Sequence, residues 1–260
     1  MENRASCSPR AAPNYSNYTS YISSHKLEFV QFVCRLMCVV QAFMFIVSFG
    51  GGPFARLSRY RSCLRMGAIV SLIRLNQRLS GARSNVKMLF HSIIIEDSFH
   101  YFAYCALMSQ YPTIFTLTLV PITIFAIVQS LQWILNMIKV TENDRAPNEH
   151  SDLYQKAIFI LATLKSWQEN IFQAAALSEI SVLLALAIDC LVKRRGVVAT
   201  FAILFCYVVF LELRYSSKRN PYTRLVTRLV MTKLKVATRQ YLIQSKHVPR
   251  FVREAVASRM

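Results

Sequence analysis

The sequence predicts an all-α integral membrane protein, built from helical hairpins with amphipathic helices on its surface. Three observations carry that expectation. The 260-residue chain is 54% hydrophobic and only 17% charged, whereas soluble domains usually carry about 25% charged residues. Its apolar residues are bunched into runs long enough to cross a roughly 30 Å hydrocarbon layer, not scattered as a soluble core would scatter them. Its charge is lopsided, with 31 Lys+Arg against 13 Asp+Glu. Beside long apolar runs, such an excess points to anionic lipid before nucleic acid.

Residues 1–25 are rich in Ser, Asn, Tyr and Pro and are expected to be disordered. Asn14 and Asn17 match the glycosylation acceptor pattern, which matters only if this end is lumenal. The membrane domain is expected over 26–213. Its first span is 27–49, with Arg35 as a costly charge that must face another helix or snorkel. Gly50-Gly51-Gly52-Pro53 ends it. Residues 54–87 carry Arg56, Arg59, Arg61, Arg65, Arg74, Arg78, Arg83 and Lys87 and no acid. Interleaved apolar residues make this a helix lying along a membrane surface, on the cytosolic side by the positive-inside rule.

Residues 88–110 are a candidate membrane segment, spanning or only dipping in and forming a hairpin with 113–138; they are apolar and aromatic but contain Glu96, Asp97 and His100. Glu96 and His100 share a helix face. A catalytic or metal site would need further groups that the sequence does not supply. The expected role is a buried polar face paired with Arg35 or with the Arg-rich segment. Residues 113–138 are the strongest span, with a kink expected at Pro121 and an interfacial aromatic at Trp133. Residues 139–170 form an acid-bearing connector with an amphipathic middle. Spans 171–192, which contains Glu179 and Asp189, and 197–213 follow, separated by Lys193-Arg194-Arg195-Gly196. The count of full crossings lies between three and five. Five crossings with a lumenal N-terminus put both 54–87 and the C-terminal tail in the cytosol, but leave Lys193-Arg194-Arg195 on the wrong side.

Residues 214–260 form a basic cytosolic tail. Within it, 222–242 is an amphipathic helix with Asn220-Pro221 as its start. Tyr222, Leu225, Val226, Leu229, Val230 and Leu234 recur at steps of three and four and mark its apolar face. Arg214, Lys218, Arg219, Arg224, Arg228, Lys233, Lys235 and Arg239 supply bases for anionic head groups or an acidic helical partner. Cys7, Cys34, Cys38, Cys63, Cys105, Cys190 and Cys206 contain no CxxC pair, so neither zinc nor a disulfide framework is expected. No catalytic residue, metal or cofactor is expected.

Several stretches resemble the transmembrane protein 33 family, also called the Krüppel homologue 2 family. They are Ile73-Arg74-Leu75-Asn76-Gln77-Arg78-Leu79, Glu96-Asp97-Ser98-Phe99-His100-Tyr101, Gln168-Glu169-Asn170-Ile171 and, nearest of all, Leu213 through Tyr222. The resemblance covers roughly residues 25–245, in order. It implies a non-enzymatic protein of the endoplasmic reticulum and nuclear envelope. Implied partners are reticulon-type proteins, nuclear pore components and a nuclear transport receptor. Implied roles are tubule shape and pore distribution, with a membrane adaptor that regulates a channel or the unfolded-protein response as the alternative. A transporter or channel stands behind both.

Overall fold

The computed structural model describes residues 15–47, 52–79, 92–142, 152–192, 197–217 and 221–244. Among these residues the fold is all helix, with no strand. Eight α-helices follow in order: α1 (Tyr15–Ser24), α2 (Lys26–Val47), α3 (Pro53–Leu79), α4 (Asp97–Gln110), α5 (Leu119–Glu142), α6 (Asp152–Val192), α7 (Val197–Ser216) and α8 (Pro221–Gln244). A 3₁₀ turn, Thr116–Thr118, leads into α5.

Among the described residues, four segments are long and apolar enough to cross a membrane: Lys26–Val47, Thr116–Val140, Tyr154–Val192 and Val198–Ser216. Their exposed sides support that assignment. Helix α2 buries Gln31, Arg35, Cys38, Ala42 and Phe45, a stripe at steps of three and four. It exposes Val33, Leu36, Met37, Val40 and Phe43. A helix with its polar residues inside and its apolar residues outside is stable only where the surroundings are hydrocarbon. The chain is a multi-pass membrane protein.

The structure departs from the sequence expectation at several elements. The leader is helical over Tyr15–Ser24. Tyr21 stacks on His25 at 4.5 Å and meets Trp133 at 6.1 Å, which gives an otherwise polar segment something to hold. Helix α4 has 14 residues, about 21 Å, too short to cross the hydrocarbon layer. Pro121 lies in the first turn of α5, where its missing N–H has no intrahelical acceptor to lose, so it starts the helix and does not kink it. Trp133 is buried and stacks on Phe32 at 4.4 Å instead of lying at a lipid interface.

Two differences are larger. Helix α6 begins at Asp152 and runs unbroken for 41 residues, so most of the expected connector is helix. The stretch has no Gly or Pro to stop it. The basic segment α3 does not lie flat on a surface. It runs antiparallel to α2, with Gln31 donating to Gln77 at 2.6 Å, Cys38 Sγ and Cys63 Sγ 3.3 Å apart, and Phe45 against Tyr60 at 6.1 Å. Its buried line of Tyr60, Cys63, Leu64, Gly67 and Val70 is taken up by protein. Gly67 makes the approach possible, since a Cβ there would meet Ile122 at 2.8 Å and Cys105 at 3.1 Å. Helix α3 thereby packs between α2 and α4.

The core sits where α2, α3, α4, α5, α6 and α7 meet. Tyr104, Tyr207 and Phe210 pack with ring centres 5.1–5.9 Å apart. Their hydroxyls do not go unpaired, which burial would penalise. Tyr104 donates to the Thr118 carbonyl at 3.0 Å, and Tyr207 donates to the Glu179 carbonyl at 2.8 Å. The 3₁₀ turn exists partly to serve this core, because Thr118 also meets the Tyr60 hydroxyl at 2.8 Å.

Candidate functional site

The charged residues singled out from sequence converge at one end of the bundle. Arg214 occupies the last turn of α7, at the point where apolar chain gives way to basic tail. It is 1% exposed. Its Nη1 lies 3.3 Å from Asp97 Oδ1 and its Nη2 lies 3.5 Å from Glu179 Oε1. Nη2 also donates to the Tyr101 hydroxyl at 2.9 Å, and the guanidinium stands 4.6 Å over the Tyr101 ring. Tyr101 in turn donates to Glu179 at 2.6 Å, and Ser217 donates to Asp97 at 2.9 Å. One guanidinium thus ties α4, α6 and α7 together. Its planar fork suits that task better than an ammonium would.

Helix α4 supplies the acids in a favourable place. Glu96 stands at its N-cap position and Asp97 in its first turn, where the helix dipole favours negative charge. Glu96 pairs with Arg78, near the end of α3. Arg35 does not reach these acids. Its Nη2 donates to Gln31 at 2.8 Å instead. His100 Nε2 donates to the Ile94 carbonyl at 2.6 Å, which fixes the neutral tautomer, and Nδ1 stands 3.8 Å from Asp97. Burial holds the imidazole below its ordinary pKa, against the opposing pull of that hydrogen bond. No grouping of three or more His, Cys, Asp or Glu suited to a metal occurs among the described residues.

The tail residues divide. Arg214 was expected among exposed bases and is buried instead, because Asp97 and Glu179 are left without a cation unless it turns inward. Arg224 bends back to the Tyr215 carbonyl, with Nε and Nη2 each 3.3 Å away. Arg228, Lys233 and Lys235 are exposed. Lys218, Arg219 and the side chain of Arg239 lie outside the described residues, as do Asn14 and the side chain of Asn17.

The apolar face of α8 divides too. Thr223 and Val226 are buried, Tyr222 meets Phe172 of α6 at 5.3 Å, and Val230 is half-buried. Leu225, Leu229 and Leu234 stay exposed. The apolar face is therefore shared between protein and surroundings. Lys233 follows Val226 by seven residues and so falls on the apolar side, apart from Arg228 and Lys235.

Sequence reasoning noted Glu179 and Asp189 as buried charges interrupting a span without naming their partners, and it gave Tyr101, Tyr111, Tyr207 and Ser217 no part in a polar cluster. The available signal was arithmetic. Two acids in an apolar helix need partners, and the neighbouring span offers one cation, Arg214. The second acid, Asp189, accepts from the Tyr111 hydroxyl at the opposite end of the bundle.

The model of the family described as Transmembrane protein 33/Nucleoporin POM33 matches residues 10–260. Among curated proteins, the chain is 26% identical over 242 residues to "Transmembrane protein 33" of Homo sapiens, covering 93% of this chain and 90% of that one. It is 28% identical over 211 residues to "Transmembrane protein 33 homolog" of Caenorhabditis elegans, covering 81% and 72% respectively. It is 24% identical over 168 residues to "Krueppel homolog 2" of Drosophila melanogaster, covering 64% and 55%. No solved structure matches.

Proposed function

As the chain belongs to the transmembrane protein 33/nucleoporin POM33 family, we propose that it is a non-enzymatic organiser of curved membrane in the endoplasmic reticulum and nuclear envelope. It acts there as a scaffold, with anionic lipid, reticulon-type membrane proteins, nuclear pore components and a nuclear transport receptor as its partners. Its tail faces the cytosol.

One observation carries this reading. Helix α8 is fixed to the membrane bundle and yet keeps apolar surface free. Its first turns pack on α6, with Tyr222 5.3 Å from Phe172 and with Thr223 and Val226 buried, while Leu225, Leu229 and Leu234 remain exposed near Arg228, Lys233 and Lys235. A helix of that make-up adsorbs at a bilayer surface, apolar residues among acyl chains and bases near anionic head groups. Inserted into one leaflet only, it spreads that leaflet and favours curvature. Anchorage to the bundle makes the wedge a permanent part of the protein.

The test is reconstitution of full-length protein into anionic vesicles of graded diameter, with a variant lacking 222–242 alongside. The intact protein should favour or generate small vesicles, and the deletion should lose most of that preference. Equal behaviour of the two proteins on flat and curved membrane would remove α8 from the mechanism.

A further inference from the structure

A cavity of about 230 Å³ opens among α2, α3, α4 and α5, beside the Arg214 cluster. Arg35, Arg74, Arg78 and Arg214 line it, and Asp97 is its one acid. The larger part of the wall is apolar or aromatic, including Val70, Ile122, Phe125, Phe172 and Tyr222. The nearby carboxylates are already engaged. Glu96 is taken by Arg78, and Asp97 and Glu179 by Arg214.

That leaves two cations without an ion-pair partner. Arg35 is 8% exposed, its only hydrogen bond goes to neutral Gln31, and its Nε has no acceptor. Arg74 makes no hydrogen bond or ion pair with any described residue. A guanidinium within a membrane bundle is costly unless an anion meets it; among the described residues Glu28 acts on Arg35, and Glu96 and Asp97 on Arg74, only at a distance and without an ion pair. A phosphate accepts from such forks in a bidentate geometry. The volume is below the roughly 300–1,000 Å³ of sites that enclose a drug-sized ligand. It suits a headgroup rather than a whole lipid, and the apolar wall suits the carbons that follow.

We propose that this cavity binds the phosphate headgroup of one anionic phospholipid, held by Arg35 and Arg74, with the adjoining carbons against Ile122, Phe125 and Phe172. The site is separate from the exposed bases of α8. It takes a single lipid in fixed stoichiometry, whereas the tail meets a surface.

Full-length protein in detergent tests the proposal by native mass spectrometry and by thermal melting with added phosphatidic acid, phosphatidylcholine or inorganic phosphate. One phosphatidic acid per chain should be retained, about tenfold or more in preference to phosphatidylcholine. The pair Arg35→Gln, Arg74→Gln should lower that retention about tenfold, and Arg228→Gln, Lys235→Gln should leave it within about twofold. Val70→Phe fills the cavity without touching a charge. It should abolish the lipid-induced rise in melting temperature while the lipid-free melt persists, and this keeps the proposal testable if the arginine pair fails to fold. Retention unchanged by Val70→Phe, or lost equally with the α8 bases, would overturn the site. Inorganic phosphate protecting as well as phosphatidic acid, through the same two arginines, would overturn the lipid as its occupant.

Discussion

Arg214 shows how far a residue's role depends on what stands 117 positions away. In sequence it opens a run of tail bases, and only the fold brings Asp97 to it. Removing one partner of a buried pair costs about 3–5 kcal/mol, because the other charge stays buried and uncompensated. Arg214→Ala should therefore lower the melting temperature sharply in detergent, and Arg214→Lys should not restore it, since an ammonium cannot serve Asp97, Glu179 and Tyr101 together. Melting that matches the wild type would contradict the lock. His100 makes a prediction with the opposite chemistry. Its pKa in the folded state lies below the ordinary value of about 6.5. Its contribution to stability is thus complete above that value and is lost as pH falls from there towards the folded pKa. Thermal melts between about pH 5 and 8 should show stability falling on acidification. His100→Gln should flatten that slope, and an unchanged slope would exclude His100 as its source. The sequence showed that Glu96, Asp97 and His100 needed partners. It did not show which, because the choice among Arg35, Arg78 and Arg214 is a matter of helix packing.

Helices were legible where one physical rule dominated. Long apolar runs gave α2 and α7 within three residues and α5 within six, and Pro221 opens α8, a position just before a periodic run. Helix α3 was misplaced because its arginines outweighed its narrow buried stripe in any count of composition. That stripe becomes meaningful only once α2 and α4 are beside it. The Cys38–Cys63 contact offers a direct check. Mild oxidation of the native protein should link these two thiols, detectable by peptide mass mapping, whereas an α3 lying flat on the membrane would leave them unlinked. Helix α8 can be probed on each of its sides. Val226→Asp puts a charge against α6 and should release the helix, read as new protease cleavage between 217 and 230. Leu229→Asp lies on an exposed position, 58% accessible, and should change folding stability by no more than about 0.5 kcal/mol. It should still weaken adsorption of the tail to anionic vesicles by roughly tenfold or more, the loss of about 1.5–3 kcal/mol from one leucine no longer buried in lipid.

Across the whole molecule, the proposed cytosolic tail, taken with one crossing for each of the four membrane-length segments among the described residues, predicts that both chain ends face the cytosol and that Asn14 and Asn17 carry no glycan. Tags at both ends should become protease-sensitive together in sealed microsomes, and treatment with a glycosidase should cause no mobility shift. Protection of one end alone would mean three or five crossings. The number of spans was hard to read because charge near helix ends argues about sides only after the spans are known, and the 41-residue α6 hid its start in an acid-bearing stretch. The Arg214 cluster also has a consequence in time. Chains emerge from the ribosome at about 5–20 residues per second. Asp97 therefore enters the bundle roughly 6–23 s before its cation has been synthesised, and Glu179 also waits for it. Until then Asp97 and Glu179 lack the guanidinium that they share in the finished fold.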